Sequence, residues 1–215
     1  RYLLHLRALH QGKPAFVIGN GPSLKVEDLK RLQHQITFAA NKIYLVFDET
    51  DFRPTYYFVE DNLVLQQNWE KINALSGLPK FHPARALKWA PRVKGSNYYY
   101  FHWEDPNSAH FPSFGSDPFS GFYWGSTVIY SMIQFAFYMR CDPIILLGVD
   151  FSFDLPSTPP QGIELVSEGE VNHFHRDYRK PGEKWNAPNL DVQLKTFRKV
   201  KKIAEDRGVN VFNAT

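Results

Sequence analysis

The chain has 215 residues, 43% of them hydrophobic and 22% charged, with a net charge of +3 and a single cysteine, Cys141. Such a length holds a buried core, and the composition excludes a disordered chain, a collagen, a coiled coil and a disulfide scaffold. The mild basic bias suits anionic ligands and predicts no nucleic-acid surface, and no apolar run reaches the roughly 18 residues of a membrane span.

Leu3, Leu4, Leu6 and Leu9 predict a short amphipathic helix at the start. The apolar run Ala15-Phe16-Val17-Ile18 predicts a strand, broken by Gly19-Asn20-Gly21-Pro22-Ser23-Leu24, with Ser23 standing as N-cap for a helix over Lys25–Gln33. Ile36–Ala40 and Tyr56–Val59 read as the second and third strands, ending at Asn41 and at Glu60-Asp61-Asn62. Leu63–Leu78 reads as helix and Lys80–Phe81 as a short strand. Pro83 to Ser120, rich in aromatics and prolines without a period, reads as a long loop or lid; within it Tyr98–Trp103 suggests a strand or packing ridge. Gly121–Gly125 is a turn, Ser126–Met139 a buried helix, and Pro143–Val149 the clearest strand, closed by Asp150. Ser152 to Pro188 reads as a second irregular insertion. Leu190–Arg207 is a basic amphipathic helix with Gly208 as its C′ residue, and Val209–Phe212 is a last strand.

Strands alternating with helices predict an α/β, Rossmann-like, mostly parallel sheet with helices on both faces, one domain over residues 1–215 with insertions at about 83–120 and 152–188. Ligands in such sheets sit beyond the carboxyl ends of the strands. That gathers Gly19, Asn20, Gly21 and Ser23 with Asn41, Asp61, Asn62 and Asp150 on one edge, where Asp150 could bind ligand or be a buried acid capping a neighbouring turn. Glycines let a backbone approach a phosphate closely, and the following helix offers free N–H groups. The turn is neither a Walker A loop nor the dinucleotide Gly-x-Gly-x-x-Gly. Asn41, Asp61 and Asn62 could read ribose hydroxyls or a base edge, or simply cap loops. Gly125-Ser126-Thr127 could supply a second polar cradle or an N-cap.

In the second insertion, Asn172-His173-Phe174-His175 offers a histidine general base. The His-x-His spacing with Asp177 could instead hold a metal, or both histidines could be plain surface residues; the spacing supports no zinc site, and no metal is expected. The Lys195, Arg198, Lys199, Lys201 and Lys202 face of the last helix is a solvated surface or a contact for anionic membrane.

Phe16-Val17-Ile18-Gly19-Asn20-Gly21-Pro22-Ser23-Leu24 resembles the opening of the bacterial sialyltransferases of glycosyltransferase family 42. It also resembles the 6-hydroxymethylpterin diphosphokinase-like superfamily, which includes motility-associated glycosyltransferases. Phe38–Tyr44, Gly125-Ser126-Thr127, Ile144–Phe151, Asn172–His175 and the ending Val211–Thr215 keep that order. The resemblance implies a metal-independent transferase without a resident cofactor, taking a CMP-linked acidic sugar to a glycan acceptor in surface polysaccharide synthesis. By the same resemblance Gly19, Asn20, Gly21, Ser23 and Asn41 hold the nucleotide, Ser126 and Thr127 lie near phosphate or donor sugar, His173 or His175 takes the acceptor proton, and Tyr178 assists at the leaving phosphate. Partners would be the nucleotide sugar and the glycan, with peripheral membrane contact and no nucleic acid. The expected place is the cytoplasm, at the inner face of the membrane. Arg1 in place of an initiator Met suggests part of a longer polypeptide. Two rivals are Mg²⁺-dependent pyrophosphoryl transfer from ATP to a hydroxymethylpterin, with Glu60, Asp61 and Asp150 as metal carboxylates, and a non-catalytic sugar-nucleotide-binding domain.

Overall fold

A computed structural model describes residues 2–155 and 164–215. In chain order these are helix α1 (Tyr2–His5), strand β1 (Ala15–Ile18), α2 (Val26–Arg31), β2 (Ile36–Ala40), a 3-10 turn (Asn41–Val46), β3 (Tyr56–Phe58), α3 (Asn62–Gln67) and α4 (Trp69–Ala74). Then come β4 (Lys80–Pro83), a second 3-10 turn (Ala84–Lys88), β5 (Ser96–Tyr99), β6 (Phe101–His102), β7 (Phe122–Tyr123) and α5 (Val128–Tyr138). The chain ends with β8 (Ile144–Leu147), β9 (Glu164–Val166), β10 (Lys184–Asn186), α6 (Leu190–Arg207) and β11 (Val211–Asn213).

Seven strands form one parallel sheet in the order β11-β8-β1-β2-β3-β4-β5. Alternation along each strand sends side chains to opposite faces. Val17, Phe38, Tyr56 and Phe58 enter one core with α5, while Ile18, Ala39, Tyr57 and Val59 enter a second core with α2 and the first 3-10 turn. Both faces are therefore covered, which is why these strands read as continuous apolar runs. α5 is buried from Ile129 through Tyr138, so its sequence is apolar all round. Its Phe135 packs edge-on against Phe58, Phe81, Tyr99 and Phe122. The predicted α/β, Rossmann-like class is the class observed.

Several local expectations are corrected. The stretch from Pro83 to Ser120 is no continuous loop: it supplies the seventh sheet strand, β5, and β6, which pairs with β7. The predicted helix over Leu63–Leu78 breaks at Asn68, whose side-chain amide donates to the Val64 carbonyl at 2.9 Å. An amide that competes for helix carbonyls ends the helix there. Between Ser152 and Pro188 the described residues include the antiparallel pair β9–β10; residues 156–163 lie outside the described part. No helix among the described residues is long and apolar enough to cross a membrane.

Winding runs from β1 out to β5 and then returns to β8 on the other side of β1. The two halves part between β1 and β8, the point at which open α/β sheets form a ligand crevice.

Candidate active site

Beyond β1 and β8 lies a chamber of about 150 Å³, lined by Gly19, Asn20, Gly21, Asn41, Thr127, Asp150, His173 and Tyr178 among others. It meets a second chamber of about 600 Å³, lined by Glu60, Asp61, Asn62, Ser126, Lys42 and Arg179 among others. Asn41, Thr127, His173, Tyr178 and Gln193 border both and form the waist between them. Of the catalytic and nucleotide-binding candidates from sequence, all but Ser23 and His175 line one chamber or the other; Asp177, the candidate metal ligand, lines neither.

The first turn departs from expectation in a specific way. The N-cap of α2 is Lys25, without a side-chain cap. Ser23 instead donates its hydroxyl to Asp150 Oδ2 at 2.9 Å, and its N–H points to the same oxygen at 3.3 Å. A Cβ on Gly21 would collide with that carboxylate, and one on Gly19 with the Gly148 carbonyl. The glycines thus serve the close packing of two turns. Asp150 fills, with the protein's own negative charge, the place beside Gly21 and Ser23 expected for a phosphate. Its Oδ1 has no partner among the described residues and remains an acceptor within the small chamber.

Asn20 spans the crevice floor: its side-chain amide donates to the Ala40 carbonyl at 3.0 Å, and its own carbonyl receives the Phe174 N–H at 3.0 Å. This second bond pins the histidine loop to the first turn. Asn20 Oδ1 and Asn41 Oδ1 are buried without partners. Unpaired buried polar atoms are costly, and the two beside this chamber are acceptors that ordered water or a ligand would satisfy. Asn41 (φ 53), Ser126 (φ 60) and Phe151 (φ 57) also take the left-handed backbone disfavoured for non-glycine residues. Each borders the cleft, where such strain concentrates at working sites.

Thr127, not Ser126, caps α5: its Oγ1 accepts the Ile129 N–H at 3.3 Å. Asp61 caps α3 through Oδ1, and its Oδ2 accepts from Asn186, whose amide also donates to Asn62. These two residues therefore hold the β10 strand against α3 at the wall of the larger chamber. Asn172 clamps Asp154 in both directions, accepting its N–H at 2.6 Å and donating to its carbonyl at 2.7 Å.

The two histidines separate. His175 Nε2 lies 3.3 Å from Glu49 Oε1 and lines neither chamber. His173 stands at the waist, its ring flat on Tyr178 with centroids 3.7 Å apart and planes 6° apart. Burial, then Arg179 and Lys42, drive its pKa down to about 3, so the ring is neutral at physiological pH. Burial raises the Tyr178 hydroxyl above its usual range, while contacts with the Lys42 backbone and the Asn41 side chain pull it down.

Sequence reading missed several cleft residues. Lys42, 7% exposed, holds Glu183 at 2.9 Å. The Arg179 guanidinium lies 3.5 Å from the Trp185 ring centroid, and its Nη1 lacks a hydrogen-bond partner but stands 4.0 Å from Glu170 Oε1. Gln193 of α6 donates to the Ser126 carbonyl at 3.0 Å and so ties that helix to the waist. Their only signal is position: Lys42 follows a strand-end Asn, and Arg179 follows Tyr178. Among the described residues no three His, Cys, Asp or Glu side chains gather as a metal site.

Residues 2–155 match the family model for the 6-hydroxymethylpterin diphosphokinase MptE-like proteins. The chain belongs to that family. Among solved structures, this MptE-like chain is similar to the MAf glycosyltransferase from Magnetospirillum magneticum AMB-1, with a TM-score of 0.56 and 16% identity over 96% of this chain and 32% of that one. It thus spans about a third of the length of that protein, and the likeness is one of fold. Weaker likenesses are to the sialyltransferase CstII from Campylobacter jejuni, solved with cytidine-5'-monophosphate (TM-score 0.43, 14% identity, 94% of this chain and 80% of that one). A mammalian sialyltransferase solved with Gal-beta-1-3GalNAc-ortho-nitrophenol gives 0.43 and 16% over 94% and 69%. Comparison with curated protein sequences gives no match.

Proposed function

We propose that this chain is a glycosyltransferase domain that moves an acidic sugar from a CMP-linked donor to a glycan acceptor in surface polysaccharide synthesis, without a metal ion. The observation that carries the reading is the pair of chambers joined at a waist: two substrates, one in each, would meet at one point. The small chamber, with Asp150 Oδ1 and the unpaired amide oxygens of Asn20 and Asn41, supplies acceptors for a nucleoside's hydroxyl and amino groups. Its own anion disfavours a phosphate at the first turn, so the donor phosphate and sugar carboxylate lie toward Lys42 and Arg179. Thr127 and Ser126 stand at the same waist for the sugar, and Tyr178 beside the leaving phosphate. His173, neutral and fixed by stacking, offers a hydrogen bond between donor and acceptor. We place the reaction in the cytoplasm, with the basic face of α6 available for contact with the inner membrane.

Family membership favours one second reading, ATP-dependent pyrophosphoryl transfer to a pterin. That reaction takes Mg²⁺ held by carboxylates, whereas Asp61 spends both its oxygens on Val64 and Asn186. A thermal-shift panel of CMP, CDP, UDP, GDP and ATP, each with and without Mg²⁺, decides between them. A ligand that binds only the native state raises the melting temperature. Stabilisation by CMP without Mg²⁺ is the expected result; stabilisation by ATP with Mg²⁺ alone refutes the transferase reading.

A further inference from the structure

Glu60 lies two residues beyond β3, on the cleft edge, and is only 9% exposed. Two hydroxyls converge on one of its oxygens: Ser131 of α5 and Tyr99 of β5 both donate to Oε2. The carboxyl is thereby fixed from its core side. Oε1 has no partner among the described residues, nor is it among the enclosed unpaired atoms, so it opens onto the larger chamber that Glu60 lines. Arg85, from the 3-10 turn after β4, borders the same chamber. The adjacent carboxylate, Asp61, has both oxygens engaged. Ser131 lies four residues past Thr127, one helical turn or about 5–6 Å, so Glu60 sits one turn of α5 from the waist.

We propose that Glu60, through Oε1, is the general base of the transfer. The proposal rests on the glycosyltransferase reading above. As the acceptor oxygen forms its bond to the donor's anomeric carbon, the hydroxyl proton passes to Oε1. The bond from that carbon to the phosphate oxygen breaks, and CMP leaves with the electron pair. The neutral carboxyl then returns its proton to solvent through the chamber.

Charge arrangement separates Glu60 from the histidines. Lys42, paired with Glu183, and Arg179, 4.0 Å from Glu170, both act against a proton on the buried His173, and His175 faces Glu49 outside the cleft. A proton on Glu60 instead discharges a buried anion. Burial raises its carboxyl to about 7, against the opposing pull of Ser131, Arg85 and Tyr99. A base works best when its pKa lies near the operating pH.

The test uses CMP-N-acetylneuraminate as probe donor, with water as acceptor, and follows CMP release from about pH 5 to about pH 9 in the wild type, E60Q, E60D and H173Q. Thermal shift with CMP is read in each. The wild type is expected to speed up as pH rises through about 7. E60Q keeps both hydrogen bonds through its amide oxygen, so CMP stabilisation persists, while turnover falls ~10²–10⁴-fold and the pH inflection vanishes. E60D and H173Q both retain the inflection. Turnover in E60Q within about threefold of wild type, or an inflection lost in H173Q and kept in E60Q, overturns the proposal alone. A wild type that CMP does not stabilise, or that releases no CMP, overturns the transferase reading and the proposal with it; this is read before any variant is made.

Discussion

A carboxyl that is more easily neutralised in the folded chain than in the unfolded one must make stability depend on pH. For Glu60 the ordinary value is 4.5 and the folded value is about 7. Its contribution to stability is therefore complete below pH 4.5, falls as pH rises through about 7, and is absent above that. The interval, at ~1.4 kcal/mol per pH unit, amounts to about 3 kcal/mol, and Glu60 is buried enough to feel most of it. Glutamine keeps the shape and an acceptor for Ser131 and Tyr99 but cannot ionise. E60Q should match the wild type to within about 1 kcal/mol at low pH and exceed it by about 3 kcal/mol at pH 8. Urea denaturation of both proteins at about pH 4.5, 6, 7 and 8 measures this, because other titrating groups cancel in the difference. A constant offset across that range refutes the reasoning, for it would mean that Glu60 ionises in the folded chain as it does in water. A gain at pH 8 would show that the natural residue sacrifices stability, the usual mark of a residue kept for work.

Three other outcomes are expected. Gly21→Ala, whose new methyl would meet the Asp150 carboxylate, should cost about 1–3 kcal/mol by thermal denaturation and abolish the CMP shift; a fully stable variant that still binds CMP contradicts the packing described for the first turn. His173 should stay neutral: its ring nitrogens, followed by NMR, should show no titration between about pH 8 and about pH 5, since its pKa lies near 3. Filling the small chamber should satisfy Asn41 Oδ1, so Asn41→Ala should raise the Kd for CMP about tenfold, or ~1.4 kcal/mol, by calorimetry.

Legibility from sequence followed the physics of burial. β1, β2 and β8 lie inside a sheet covered on both faces, and their apolar runs are unmistakable. The edge strand β5 carries Ser96, Asn97, Tyr98 and Tyr99, mostly half-buried, and shows neither a run nor an alternation. The break at Asn68 was hidden because it depends on a side chain turning back on its own helix and on Tyr44, which donates its hydroxyl to the same amide at 3.0 Å. At the site, the turn and the strand ends were readable because the α/β topology gathers them. What Ser23 does was not, since its partner is Asp150, and no local pattern names a distant acceptor. The same holds for Lys42, Arg179 and Gln193, whose importance comes from what the fold sets beside them. The histidine pair read as equivalent in sequence; a two-residue step put one at the waist and the other against Glu49.

The bond between Ser23 and Asp150 joins residues 127 positions apart, and the sheet places β8 beside β1 only after four strands have been laid down on the other side. Contacts so distant in the chain carry a loop-closure cost that local turns do not. A nascent chain that has emerged as far as β5 therefore carries the glycine turn without its opposite wall. A complete crevice thus requires the chain at least as far as residue 150.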